Sequence, residues 1–131
     1  MHHLVYTSTA TLPFAETELR QLLAHWRATN ARLGLTGVLM YSEGDIMQVL
    51  EGEQAQVQAL FSRIAADARH RGVTKLADGP VPERAFADWS MRFRAVASSD
   101  FQQHLERLSG ASGPASDLAP LLEAFMASDA W

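Results

Sequence analysis

A chain of 131 residues, 47% hydrophobic and 20% charged, amounts to about one domain and can bury a core without staples. Eleven basic against fifteen acidic residues leave a net charge of −4 with no basic stripe, which argues against a nucleic-acid partner. The lack of cysteine excludes disulfides, thiolate catalysis, cysteine metal ligands and covalent cysteine adducts. With no signal-peptide pattern and no apolar stretch near the ~18–20 residues that span a bilayer, a cytoplasmic soluble domain with no membrane partner is expected.

Residues 2–8 (HHLVYTS) are rich in strand formers and lead into a turn-like stretch, 9–14, that contains Pro13. From about 15 to 33, Leu19, Leu22, Leu23, Trp26 and Leu33 recur at helical spacing, and Gly34 is suited to end that helix. Residues 35–42 read as a buried strand, Glu43-Gly44 as a short turn, and 45–51 as the returning arm of a hairpin. A second helix is predicted from about 54 to 69, with Val57, Leu60, Phe61 and Ile64 on one face. Strands follow over 73–81 and 89–96, then two short helices over 99–108 and 115–128, separated by the Gly/Ser/Pro-containing stretch 109–114. The order β-α-β-β-α-β-β predicts an α+β, ferredoxin-like sandwich with a five-stranded sheet over 1–97. A helical extension, 98–131, is expected to pack on the same domain. That fold hosts many functions and does not decide between them.

The informative residues are polar ones on apolar faces. Asn30 lies four residues after Trp26 and three before Leu33, within the stripe that faces the sheet. An unpaired buried carboxamide costs about 1–3 kcal/mol, so Asn30 needs a partner, and bracing a neighbouring loop is the simplest one. Gln48 sits between Ile46 and Leu50 on one strand face, offering a donor and an acceptor to the core. Tyr6 lies on the same side of its strand as Leu4, where a phenol usually finds a backbone carbonyl. If the first and third strands are neighbours, Tyr6 and Gln48 point at the helices from adjacent positions and Asn30 faces them. The set suits a flat, uncharged ligand with several hydrogen-bonding edges. Arg63 and Asp67, four apart, read as an exposed ion pair worth ~0.3–0.5 kcal/mol, and Arg69 and His70 as cations at a helix C-terminus. His2, His3, His25 and His104 show no metal-ligand spacing, and no glycine-rich phosphate loop is present.

The segments LVYTS (4–8), NARLGLTGVL (30–39), GDIMQVLEG (44–52), DARH (67–70) and FADWSM (86–91) together resemble the BLUF family, blue-light sensors that use flavin. The resemblance runs from about Leu4 to Phe93, and the tail helices fit the family's C-terminal extension. It implies that Tyr6 gives an electron and then a proton to the excited flavin. It places Gln48 between that tyrosine and the flavin, where its amide rearranges. Asn30 and Thr29 then fall at the ring edge, Arg63 and Asp67 at the other polar edge, and Arg69 and His70 near the flavin. Trp89 and Met91 match the fifth-strand residues that exchange position or relay the signal. Three positions depart from the family pattern. Trp26 replaces a small serine and brings an indole to the flavin as a crowding group or competing electron donor. Ile46 replaces a phenylalanine, and Thr29 a histidine or asparagine.

The expected function is therefore a non-covalent flavin photoreceptor, not an enzyme, with FAD as cofactor and FMN or riboflavin as the other flavins that suit it. Its output is expected through a homo-oligomer or an unidentified downstream protein. The alternatives are a flavin-free adaptor of the same fold and an acylphosphatase-like hydrolase, which would need a phosphate-cradling loop at 9–13.

Overall fold

The computed structural model describes residues 1–11, 15–87 and 89–109. Its strands are β1 (His2–Ala10), β2 (Thr36–Ser42), β3 (Asp45–Gly52), β4 (His70–Pro80) and β5 (Arg92–Ala95). Its helices are α1 (Glu16–Leu33), α2 (Gln54–Ala66) and α3 (Ser98–Ser109). The strands form one sheet in the order β4-β1-β3-β2-β5. β3 pairs antiparallel with both β1 and β2, and β5 runs parallel to β2. This is the expected ferredoxin-like α+β arrangement with one further edge strand.

Period-two alternation sorts the sheet into two faces. Leu4, Tyr6, Leu39, Ile46 and Leu50 point to the side covered by Leu19 and Leu23 of α1 and Val57 of α2. Val5, Val38, Met40, Met47 and Val49 point to the other, where Phe86 and Phe101 of α3 pack on them. Because both faces are covered, β3 is buried at every position from Ile46 to Gly52, unlike a strand with one wet face. Glu43 and Gly44 both take positive φ (49° and 96°), as a two-residue hairpin turn requires. Gly37 is needed for close approach: a Cβ there would lie 1.9 Å from the Val49 carbonyl oxygen.

Several boundaries differ from the sequence expectation. β1 continues to Ala10 rather than ending at 8, because its last residues pair with Asp45 on one side and with Arg71 and His70 on the other. α2 stops at Ala66, so Asp67 is its C-cap in extended geometry and Arg69 lies in the turn beyond. β4 begins at His70 rather than 73. The fifth strand is four residues long, not eight, and excludes Trp89 and Met91. α3 occupies the place of the first tail helix, whereas the helix expected over 115–128 lies outside the described residues. Among the described residues no helix is long and apolar enough to cross a membrane.

Glu51 is 1% exposed and ties the loop after β4 to the sheet. Its carboxylate accepts from the backbone N–H groups of Ala85 (2.6 Å) and Phe86 (2.9 Å) and from the Thr36 hydroxyl (3.1 Å). Arg84 closes the arrangement by donating to Thr36 Oγ1 and to the carbonyls of Glu51 and Gly34. Each buried donor left without a partner costs about 1–3 kcal/mol, so Glu51→Ala is expected to lose roughly 2–5 kcal/mol in urea unfolding. A loss below about 1 kcal/mol would mean that these N–H groups find other acceptors.

Candidate functional site

A cavity of about 420 Å³ opens between α1 and α2 above the helix-covered face of the sheet. Its floor is Tyr6 of β1, Gln48 of β3 and Leu39 of β2. Trp26, Thr29 and Asn30 of α1 form one wall, and Leu60, Arg63 and Ile64 of α2 the other. Asp67 and Arg69 close one end from the turn after α2. The exposed side chains of His25, Arg32 and Arg63 mark its open side. The volume falls in the range of small-molecule sites, and the mixture of apolar walls with a few polar groups is typical of them.

The floor carries a buried hydrogen-bonded chain. Tyr6 and Gln48 are direct partners in the β1–β3 register, so both side chains rise from the sheet side by side. They are 1% and 5% exposed. The Tyr6 hydroxyl donates to Gln48 Oε1, and Gln48 Nε2 donates to Met91 Sδ at 3.5 Å. The phenol has thus found a side-chain amide, not the backbone carbonyl that a buried tyrosine usually takes. Thioether sulfur is a weak acceptor, so one end of the Gln48 amide is firmly held and the other loosely. Phe61 of α2 packs against the Tyr6 ring at 5.4 Å between centroids, tilted by 59°.

Burial pushes the Tyr6 phenol well above its ordinary value of 10, because the phenolate would lose its hydration. The folded protein therefore keeps this proton when the unfolded chain releases it. The resulting stability is complete below pH 10 and is lost as pH rises beyond it. The wild type is expected to lose up to about 1.4 kcal/mol per pH unit more than Tyr6→Phe above that point. Urea unfolding of both proteins at increasing alkaline pH measures this, and parallel curves would contradict it.

Asn30, 2% exposed, does two things at once. It lines the cavity, and its Nδ2 donates to the Ser90 carbonyl at 2.6 Å. The loop-bracing reading and the cavity-facing reading both describe it. Met91 is buried beside Gln48, whereas Trp89 packs with the core on the opposite face of the sheet. There Trp89 stacks on Phe86 at 5.8 Å, and the Arg92 guanidinium lies 5.1 Å from its indole. A regular strand over 89–96 would put residues 89 and 91 on one face. They point to opposite faces because this segment is not a strand. Its carbonyls are taken by Gly37 N–H (to Trp89, 2.9 Å), Asn30 (to Ser90) and Arg27 Nε (to Met91, 2.7 Å).

The structure brings Tyr6, Thr29, Asn30, Gln48, Arg63, Asp67 and Arg69 to one cavity and leaves Trp89 on the far side. The expected Arg63–Asp67 pairing is replaced. The Asp67 carboxylate accepts a forked pair of bonds from Arg69, with an Nη2–Oδ2 distance of 2.6 Å. With α2 ending early, residues 67 and 69 share a turn, while Arg63 remains on the helix. Arg69 is thus occupied by a carboxylate and not by the helix dipole. His70 opens β4, where it pairs with Ala10; its side chain lies outside the described part. Of the 9–13 stretch that a hydrolase of this fold would use, residues 9 and 10 belong to β1, and 12 and 13 lie outside the described part.

Sequence reasoning read Leu60 and Ile64 only as the apolar face of the second helix, and it missed Leu39 on the cavity floor and Arg27 behind the cavity. Leu39 faces Gln48 in the β2–β3 register, and Arg27 precedes Asn30 by three residues on the same helix face. Either neighbour relation could have named them.

The model of a family described as BLUF, sensors of blue-light using FAD, matches residues 1–92. The photoactivated adenylate cyclase subunit beta of Euglena gracilis is 36% identical over 96 residues, which is 70% of this chain and 11% of that protein. The chain spans about a tenth of the length of the curated relatives it matches. Among solved structures, the dark state of the BLUF protein BlrB is 32% identical, with a TM-score of 0.74 over 98% of this chain and 96% of that one. The ground state of BlsA is 26% identical, with a TM-score of 0.78 over 99% of this chain and 90% of that one. With the family model covering most of its length and a solved relative matching it nearly end to end, the chain belongs to the BLUF family of blue-light sensors.

Proposed function

We propose that this chain is a blue-light receptor that holds a flavin non-covalently between α1 and α2 and switches through Tyr6, Gln48 and Met91. The observation that carries the reading is the buried chain from the Tyr6 hydroxyl to Gln48 Oε1, and from Gln48 Nε2 to Met91 Sδ, on the floor of the cavity. The residues suit the group. Leu39, Leu60, Ile64 and Trp26 offer apolar surface to a flat ring system, and Asn30 and Gln48 offer amide groups to its polar edge. The exposed guanidinium groups of Arg32 and Arg63, with the His25 ring near them on the open side, suit the phosphates of FAD, with FMN and riboflavin as smaller ligands of the same ring pocket. Thr29, Asp67, Arg69 and His70 complete the proposed binding set.

A bound flavin supplies blue absorption and, when excited, an acceptor for one electron. Tyr6 would be the donor, and like any phenol at neutral pH it holds its hydroxyl proton until the electron leaves. That proton then has a path along the existing bond to Gln48 Oε1. Gln48 responds by rearranging its amide, for which the weak contact to Met91 Sδ is little hindrance. Met91 passes the change to β5, and from there to a second copy or a downstream protein. In this reading the chain itself catalyses nothing.

The test is a visible absorption spectrum of the purified protein, taken in the dark and directly after blue light. A flavin spectrum that moves slightly to the red and returns in darkness is expected. A flavin spectrum without that movement would remove the switching mechanism and point to Trp26. No flavin, even after reconstitution, would leave the adaptor alternative.

A further inference from the structure

Arg27 is not among the residues that line the cavity, yet it holds the segment on which the cavity acts. Its Nε donates to the Met91 carbonyl at 2.7 Å, while Asn30, one turn on, donates to the Ser90 carbonyl at 2.6 Å. Two consecutive carbonyls are thereby fastened by two side chains on one face of α1. Met91 is held twice, by Gln48 at its sulfur and by Arg27 at its backbone. The two grips are unequal. An amide-to-thioether contact is weak, whereas a bond from a guanidinium to a carbonyl is charge-assisted.

Directly after Met91 begins β5, a four-residue edge strand that among the described residues pairs only with β2. A short strand with one neighbour is among the least costly elements of a sheet to release. While the Arg27 bond stands, a movement of the Gln48 amide can displace the Met91 side chain but not its main chain. Release of β5 requires that bond to break, and its re-formation draws the segment back.

We infer that Arg27 is a positioning residue of the switch, a latch on the Met91 carbonyl that sets how long the light-induced state lasts. The inference rests on the photoreceptor reading above. Its chemistry is a hydrogen bond made in the resting state and broken in the light state, so deleting the donor removes a force for return.

The experiment compares the flavin-loaded wild type with Arg27→Ala and Arg27→Lys. Arg27→Ala is expected to keep the flavin spectrum and the full red shift and to return in darkness about tenfold more slowly, the scale of one lost charge-assisted bond. Arg27→Lys keeps a positive donor without the planar fork and is expected to recover part of the rate. It also serves as the folded variant should alanine at this half-buried position unfold the protein. Amide exchange at 92–95 in the dark should rise with Arg27→Ala, a local change that general destabilisation would spread over the sheet. Dark return within twofold of wild type in both variants would overturn the inference. So would loss of the red shift with flavin still bound, which would place Arg27 at the flavin rather than at Met91. A wild type that binds flavin but never shifts would defeat the photoreceptor reading itself, a distinct outcome.

Discussion

Gln48→Leu is expected to keep its flavin and to lose the light-induced red shift entirely. Leucine is one bond shorter than glutamine but similar in volume, and it would sit between Ile46 and Leu50, so packing is largely conserved. The apolar walls and Asn30 remain to hold the ring system. What goes is the amide that hydrogen-bonds to both Tyr6 and Met91. The Tyr6 hydroxyl loses its acceptor in a buried site, a penalty of about 1–3 kcal/mol that should appear as a lowered midpoint in urea. A dark-minus-light difference spectrum reads the main effect. A shift of ordinary size in this variant would remove Gln48 from the mechanism, whatever its effect on stability.

Tyr6→Phe carries the second large expectation. Phenylalanine keeps the ring that packs against Phe61, so folding and flavin binding should persist. It has no hydroxyl proton to give, and its ring is far harder to oxidise than a phenol. The yield of the red-shifted state is expected to fall at least about a hundredfold, the lower bound for deleting a positioned proton donor. Flavin fluorescence should rise as its quencher disappears. Tyr41 is no substitute, since it packs near Phe93 and does not line the cavity. Trp26 does line it, and a substantial residual response in Tyr6→Phe would identify that indole as a second donor. A normal response in a double variant lacking both would end the assignment of Tyr6.

The two variants separate what the hydrogen-bonded chain does. Gln48→Leu leaves a donor with nothing to rearrange, whereas Tyr6→Phe leaves an amide with nothing to trigger it. Fluorescence distinguishes them: quenched in the first, bright in the second.

Much of the candidate site was legible before any coordinates. Tyr6, Gln48 and Asn30 stood out because each placed a polar group on a face whose neighbours are apolar, and burial makes such groups find partners. Their convergence required only that the first and third strands be neighbours, and Tyr6 and Gln48 are direct partners. Glu51 was not legible in this way. It closes a strand beside Gly52, where a carboxylate ordinarily meets water, and it is buried only because residues 84–86 fold back over it. Arg27 was hidden for a related reason: a half-exposed arginine on a helix has no local signature of the carbonyl it will bind.

The sequence by itself determined the order of elements from β1 to α3, the apolar stripe of each of the first two helices, and the polar residues that interrupt the sheet face those helices cover. Each of these follows from periodicity, which is a property of local backbone geometry. Only the tertiary structure decided where the strands end, which carboxylate takes Arg69, and on which sides of the sheet Trp89 and Met91 lie. Those outcomes depend on partners distant in the chain. The segment 89–91 reads as strand by its residues, but Gly37, Asn30 and Arg27 take its three carbonyls in turn and leave no ladder to extend. Side chains that strand geometry would put on one face are thereby sent to opposite faces, with Met91 against Gln48 and Trp89 against Phe86.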